Sequence, residues 1–119
     1  MAGSASVHWD GSVIRVHYRG YIDGAAMREG TNGVKRCLLQ RQPSAILFDT
    51  IEVEGYSPEV RAPGVEMFRA LKDNGVGRAV AISTSSAVRM MGSVFAFATG
   101  MPLEFVDSRA EGERRVALR

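Results

Sequence analysis

Ala45-Ile46-Leu47-Phe48 and Ala79-Val80-Ala81-Ile82 are short apolar runs with no polar residue inside them. Each is followed by polar residues and then by a pattern of helical period. A strand with one face in water alternates apolar and polar residues, whereas a strand covered on both faces does not. Only amphipathic stretches lie between the two runs. The pair therefore reads as parallel strands laced by a crossover helix.

Working outward, Val7-His8-Trp9 meets Asp10-Gly11, a dipeptide suited to a type I′ hairpin turn. The returning strand runs from Ser12 to about Ile22, with Ile14, Val16 and Tyr18 on one face and Arg15, His17 and Arg19 on the other. Gly20 marks a bulge or bend in it. Asp23 is placed to N-cap a first helix whose stripe is Ala26, Met27, Gly30, Val34, Cys37 and Leu38, and Pro43 ends it. Gly30 and Gly33 each cost that helix roughly 1 kcal/mol relative to Ala, which close approach to the sheet would explain.

Past the first run, Ile51-Glu52-Val53-Glu54 alternates. Ser57-Pro58-Glu59 opens a second helix, which Pro63-Gly64 breaks or restarts. Val65, Phe68 and Leu71 form its core face, and Gly75 stops it in the left-handed conformation. Gly75-Val76-Gly77 is no phosphate loop, since it follows a helix and lacks the Lys such loops carry. Ser83 to Ser86 opens a third helix to about Thr99, and Gly100 and Pro102 close it. Leu103 to Val106 is a last strand, and the capping-box spacing of Ser108 and Glu111 starts a terminal helix through Leu118. The expected fold is α/β: an N-terminal β-hairpin, then alternating α and β, with a mixed sheet of about five strands and helices mainly on one side. It forms a single domain over 1–119, with 1–5 a loose N-terminus.

The chain has 119 residues, enough for one core. Its net charge of +2 comes from basic residues scattered among acids, which argues against a nucleic-acid partner. The single cysteine, Cys37, excludes an internal disulfide and reads as a small core residue. No apolar run approaches the roughly 20 residues of a membrane span, and no secretory leader precedes the hairpin, so a cytoplasmic location is expected.

The third helix carries two apolar faces. Val88, Met91, Phe95 and Ala98 cluster on one side, and Met90, Val94, Phe97 and Met101 on another. One stripe suffices to dock on a sheet. The second is covered by a neighbouring helix, buried in a homodimer, or lines a cavity for an apolar ligand or lipid.

Catalytic constellations are missing. His8 and His17 lie on the opening hairpin near Asp10, but a turn pairing Trp9 with Ser12 leaves His17 beyond the partner of His8, so no metal site is expected. Trp9 reads as edge-strand packing. Ser83, Thr84, Ser85 and Ser86 suit either capping or anion binding at a helix start. Glu52 and Glu54 read as a solvated face. Arg109, Arg114, Arg115 and Arg119 with Glu111 and Glu113 read as a salt-laced outer helix. No nucleophile–base spacing appears, so neither enzyme activity nor a cofactor is expected.

The order of elements, with Ala45-Ile46-Leu47-Phe48-Asp49-Thr50, Arg78-Ala79-Val80-Ala81-Ile82, Pro102-Leu103-Glu104-Phe105-Val106-Asp107 and a closing helix, resembles the STAS superfamily. It is most similar to the divergent anti-sigma-factor-antagonist-like (STAS/SEC14-like) branch, over about Val7 to Leu118. The resemblance implies a mixed sheet with helices mainly on one side, a non-enzymatic regulatory or ligand-sensing role, and protein–protein contacts. Classical members switch by phosphorylation of a Ser after an Asp, near the start of the helix that follows the third strand. The positions here are Thr50, after Asp49, and Ser57, neither in the Asp-Ser-Ser/Thr-Gly pattern. The expected function is a regulatory interaction module, homodimeric, that binds a protein partner. The alternative is a binder of an apolar small molecule or lipid.

Overall fold

The computed structural model describes residues 2–117. Met1 of the expected loose terminus, and Leu118 and Arg119 of the expected last helix, lie outside the described residues. The elements are β1 (Ser4–Asp10), β2 (Val13–Ile22), α1 (Gly24–Gln40), β3 (Ala45–Tyr56), a 3-10 turn (Pro58–Val60), α2 (Arg61–Asp73), β4 (Ala79–Ile82), α3 (Ser86–Thr99), β5 (Glu104–Val106) and α4 (Arg109–Val116). They form one five-stranded sheet in the order β1-β2-β3-β4-β5. β1 runs antiparallel to β2, and every other neighbouring pair is parallel. The two apolar runs lie side by side, from Ile46 opposite Ala79 to Asp49 opposite Ile82.

Alternation along these strands divides the core in two. Ile14, Val16, Ile46, Phe48, Ala79 and Ala81 face the layer of α1, α2 and α3. Val13, Ala45, Leu47, Val80 and Ile82 face the opposite side, where α4 adds Val116. Both faces of β3 and β4 are therefore dry, which is why their sequences do not alternate.

The hairpin turn differs from expectation by one residue. Asp10 pairs with Val13, so the loop is Gly11-Ser12. Within this loop only Gly11 has positive φ, at 60°, as a type II′ turn requires. The N-terminus is also more ordered than its composition predicts. β1 starts at Ser4, Ala2 bridges Tyr21, and the Ala5 N–H donates to Glu29 at 2.9 Å. Pairing with the long β2 supplies order that local propensity does not. The irregularity expected at Gly20 is present, with φ at 75° and a register shift before Tyr21.

Asp23 caps α1 as expected, accepting from the Ala26 N–H at 2.8 Å. A Cβ on Gly30 would stand 2.6 Å from the Tyr18 hydroxyl, and one on Gly33 would stand 2.7 Å from Val7. The two glycines thus let α1 lie close against the sheet. Cys37 is buried, and burial pushes its thiol pKa up.

The second helix is interrupted earlier than expected. The 3-10 turn holds the Ser57 cap, and α2 then runs through Pro63-Gly64. Pro63 sits in the first turn, where its missing N–H has no intrahelical bond to lose. Its carbonyl accepts from the buried Thr31 hydroxyl at 2.8 Å. Gly64 gives Phe95 its seat, since a Cβ there would stand 2.2 Å from the ring.

Candidate functional site

α3 begins in a knot of side-chain hydrogen bonds. Ser85 caps it, accepting from the Val88 N–H at 3.3 Å. Ser83 is fully buried, and its hydroxyl accepts from the Ser85 N–H at 3.1 Å. Arg89 donates to the Ser83 carbonyl at 2.7 Å and pairs with Asp107, tying the helix to the ends of β4 and β5. Capping and this tie account for Ser83 and Ser85; Thr84 and Ser86 are exposed.

One side of α3 docks. Phe95 is buried against Phe68, ring centroids 5.5 Å apart, and Phe68 in turn stacks on Phe48 at 5.6 Å. Val88, Met91 and Gly92 are half-buried on the same side. The other side has no cover. Phe97 is 93% exposed and Met90 63%, with Ala87 and Ala98 exposed and Val94 half-buried between them. Of the expected coverings, a neighbouring helix is therefore ruled out among the described residues, because α2 lies on the Phe95 side.

Two residues change sides relative to the sequence reading. Met101 leaves the exposed group: it is 2% exposed and belongs to the core. Gly100 ends the helix with φ at 73°, so the 100° spacing does not extend to Met101. Ala98 leaves the docking stripe for the open face.

Each flank of α3 carries a depression. Beside Phe97 runs a shallow groove lined by Ser93, Ala96, Pro102, Leu103 and Phe105. Beneath the helix, between it, α2 and the sheet, lies a crevice of about 90 Å³. Its walls include Phe48, Met67 and Phe68, and half-buried Val53, Val88 and Met91 stand at its rim. None of its lining residues is charged. Its hydroxyls are engaged: Thr50 donates to the Ile82 carbonyl at 2.6 Å, Tyr56 to the Ala87 carbonyl at 2.8 Å, and Tyr18 to Met67 sulfur at 3.9 Å. Sequence reasoning missed the crevice because its walls come from eight elements. It also missed Arg89, whose role has no local signature.

The expected phosphoacceptors differ in access. Thr50 is committed to Ile82. Ser57 is half-buried, and its oxygen accepts from the Glu59 N–H at 3.3 Å.

Beside the second core layer, the opposite face of the sheet carries paired polar side chains of β1, β2 and the far half of β3. Register sets His8 opposite Arg15 and His17 opposite Ser6. His17 Nε2 lies 2.6 Å from Glu52, which Arg109 also approaches, at 3.5 Å. Arg109 bonds Asp49 at 2.7 Å, and this bond chiefly raises its pKa. Arg15 joins Asp10 at 2.7 Å and also Glu113, whose hydrogen bond is the main cause of its raised pKa. Glu52, expected to be simply solvated, is exposed but paired, with His17 on β2 and Arg109 on α4. Trp9 packs as expected, with Arg41 4.1 Å from its ring centroid and its N–H donating to Gln40 at 2.8 Å. Among the described residues no three His, Cys, Asp or Glu converge as a metal site, and no helix is long and apolar enough to cross a membrane.

No protein-family model matches the sequence, and no curated protein does. Solved structures match in shape. The anti-sigma factor antagonist SpoIIAA in its unphosphorylated form superposes with a TM-score of 0.73 at 14% identity, covering 97% of this chain and 100% of that one. The chain has a STAS-like fold. Bacillus SpoIIAA in the phosphorylated form gives a TM-score of 0.68 at 17% identity, covering 95% and 99% of the two chains. An anti-sigma factor antagonist from Mycobacterium paratuberculosis gives 0.61 at 16%, covering 97% and 94%. The STAS-like order of strands and helices confirms the expected architecture from the hairpin to the closing helix.

Proposed function

We propose that this STAS-like domain is a non-enzymatic, cytoplasmic regulatory module that works by protein–protein contact through the outer face of α3, and that it pairs there with a second copy of itself. The observation that carries the reading is Phe97, a large aromatic side chain held in water on α3. Arg89 is the only charged residue in α3, and it is turned inward to Ser83 and Asp107, so the outer face presents no charge. Depletion of charge with aromatic and Met enrichment is the composition of interface centres. The projecting Phe97 forms one wall of the groove that Ala96, Pro102 and Leu103 also line, an arrangement in which a twofold axis would bring each Phe97 to the groove of the other copy. The fold shared with anti-sigma factor antagonists supports a regulatory role on the same terms.

Neither Ser57 nor Thr50 carries this proposal, because the Thr50 hydroxyl is engaged and Ser57 is already spent on its cap. The test is Phe97→Glu, read by sedimentation over about 1–100 μM, the range where contacts of this size are measurable. The wild type is expected to be dimeric at the upper end and the variant monomeric throughout. A wild type that stays monomeric, or a variant of unchanged mass, overturns the pairing.

A further inference from the structure

We infer that the crevice beneath α3 is a binding site for a small, uncharged, apolar molecule: a single aromatic ring or the end of an alkyl chain. Its space, about 90 Å³, is several times what one water needs, yet a buried water requires two to four polar partners. The walls offer few, because Thr50, Tyr56 and Tyr18 have each donated their hydroxyl proton and keep only acceptor lone pairs, and the remaining side-chain surface is hydrocarbon, aromatic or thioether. Among the described residues no buried side-chain polar atom is left without a partner that a ligand could satisfy. The same inventory excludes a nucleotide, a phosphate or a carboxylate held inside, since nothing there answers a charge.

The site also has an entrance and give. Val53, Val88 and Met91 are half-buried at the rim, so the space reaches the surface. Met67 and Met91 supply adaptable thioether walls. α3 roofs the crevice without filling it: Phe95 leans toward Phe68 and the seat at Gly64, while Gly92 brings no side chain of its own. The crevice shares Leu103 and Phe105 with the groove assigned to self-association, but Val53, Val88 and Met91 line the crevice alone and Phe97 the groove alone, so variants at those positions test the two proposals separately.

The test is titration of methyl-labelled protein, in one arm with benzene and in the other with decanoate. The expected result is saturable shifts at Met67, Met91 and Val88 with a dissociation constant of about 1 mM, the scale open to so few ligand atoms. Binding of benzene alone identifies a free compact molecule as the ligand, and binding of decanoate alone identifies the end of an acyl chain. Val88→Phe and Val53→Phe, each narrowing the rim at a half-buried position, should weaken binding at least about tenfold. Phe97→Glu should bind as the wild type does. Failure of both probes to saturate, shifts centred on Met90 and Val94, or unchanged affinity in both rim variants overturns the inference.

Discussion

Tyr18 takes its phenol into the layer between the sheet and α1, where it packs over Gly30 and finds only the Met67 sulfur as acceptor. Burial pushes its pKa well above the ordinary tyrosine value, because the phenolate would lose its water. The unfolded chain releases this proton near pH 10 while the folded chain keeps it, so above that pH the folded state binds more protons. Stability should therefore hold below about pH 10 and fall above it, by up to about 1.4 kcal/mol per pH unit, until the folded pKa is passed. Urea unfolding at a series of alkaline pH values is the measurement. Tyr18→Phe should remove this part of the slope, and identical slopes in the two proteins would refute the assignment. The inward face of Tyr18 was legible from strand alternation. Gly64 was not: in sequence it resembles a breaker beside Pro63, and its purpose, to seat Phe95, resides in another helix.

At the scale of elements, α4 is the test of how the second core layer is held. It docks by Val116 and by Gly112, where a Cβ would stand 2.8 Å from Ile82 and 3.2 Å from Leu47. Ion pairs from Arg109 and Arg15 add little, since water screens exposed pairs and holding two long side chains together costs entropy. Close packing rather than charge should decide its position. Gly112→Val is expected to lift α4 and cost about 1–3 kcal/mol, with faster amide hydrogen exchange across Arg109–Val116. An unchanged urea midpoint and exchange pattern would show that α4 does not rest on Leu47 and Ile82. The helix starts were readable because caps are local: Asp23, Ser85 and Ser108 each accept from an amide three residues on. The start of α2 was less so, because the 3-10 turn from Pro58 to Val60 separates its capping signal from its helix.

At the scale of the molecule, a single copy has a Cα radius of gyration of 12.7 Å. If α3 pairs with a second copy, small-angle scattering of the wild type should give a radius that rises with concentration above the single-copy value. Phe97→Glu should remain at the single-copy value, and coincident curves would reject the pairing. The sheet's central pair, its parallel direction and the dry inner face of β2 follow from period and composition, because burial on both faces forbids alternation wherever in the fold the strand sits. Hairpin register, the ordering of Ser4 and Ala5, and the removal of Met101 from the α3 face do not, because each depends on a partner strand or on where a helix stops. From residue spacing alone, α3 was determined to have two apolar sides. Only the packed structure decided that one side covers a crevice and the other meets water, since that depends on how far α2 and the sheet hold the helix away, a distance no local pattern records.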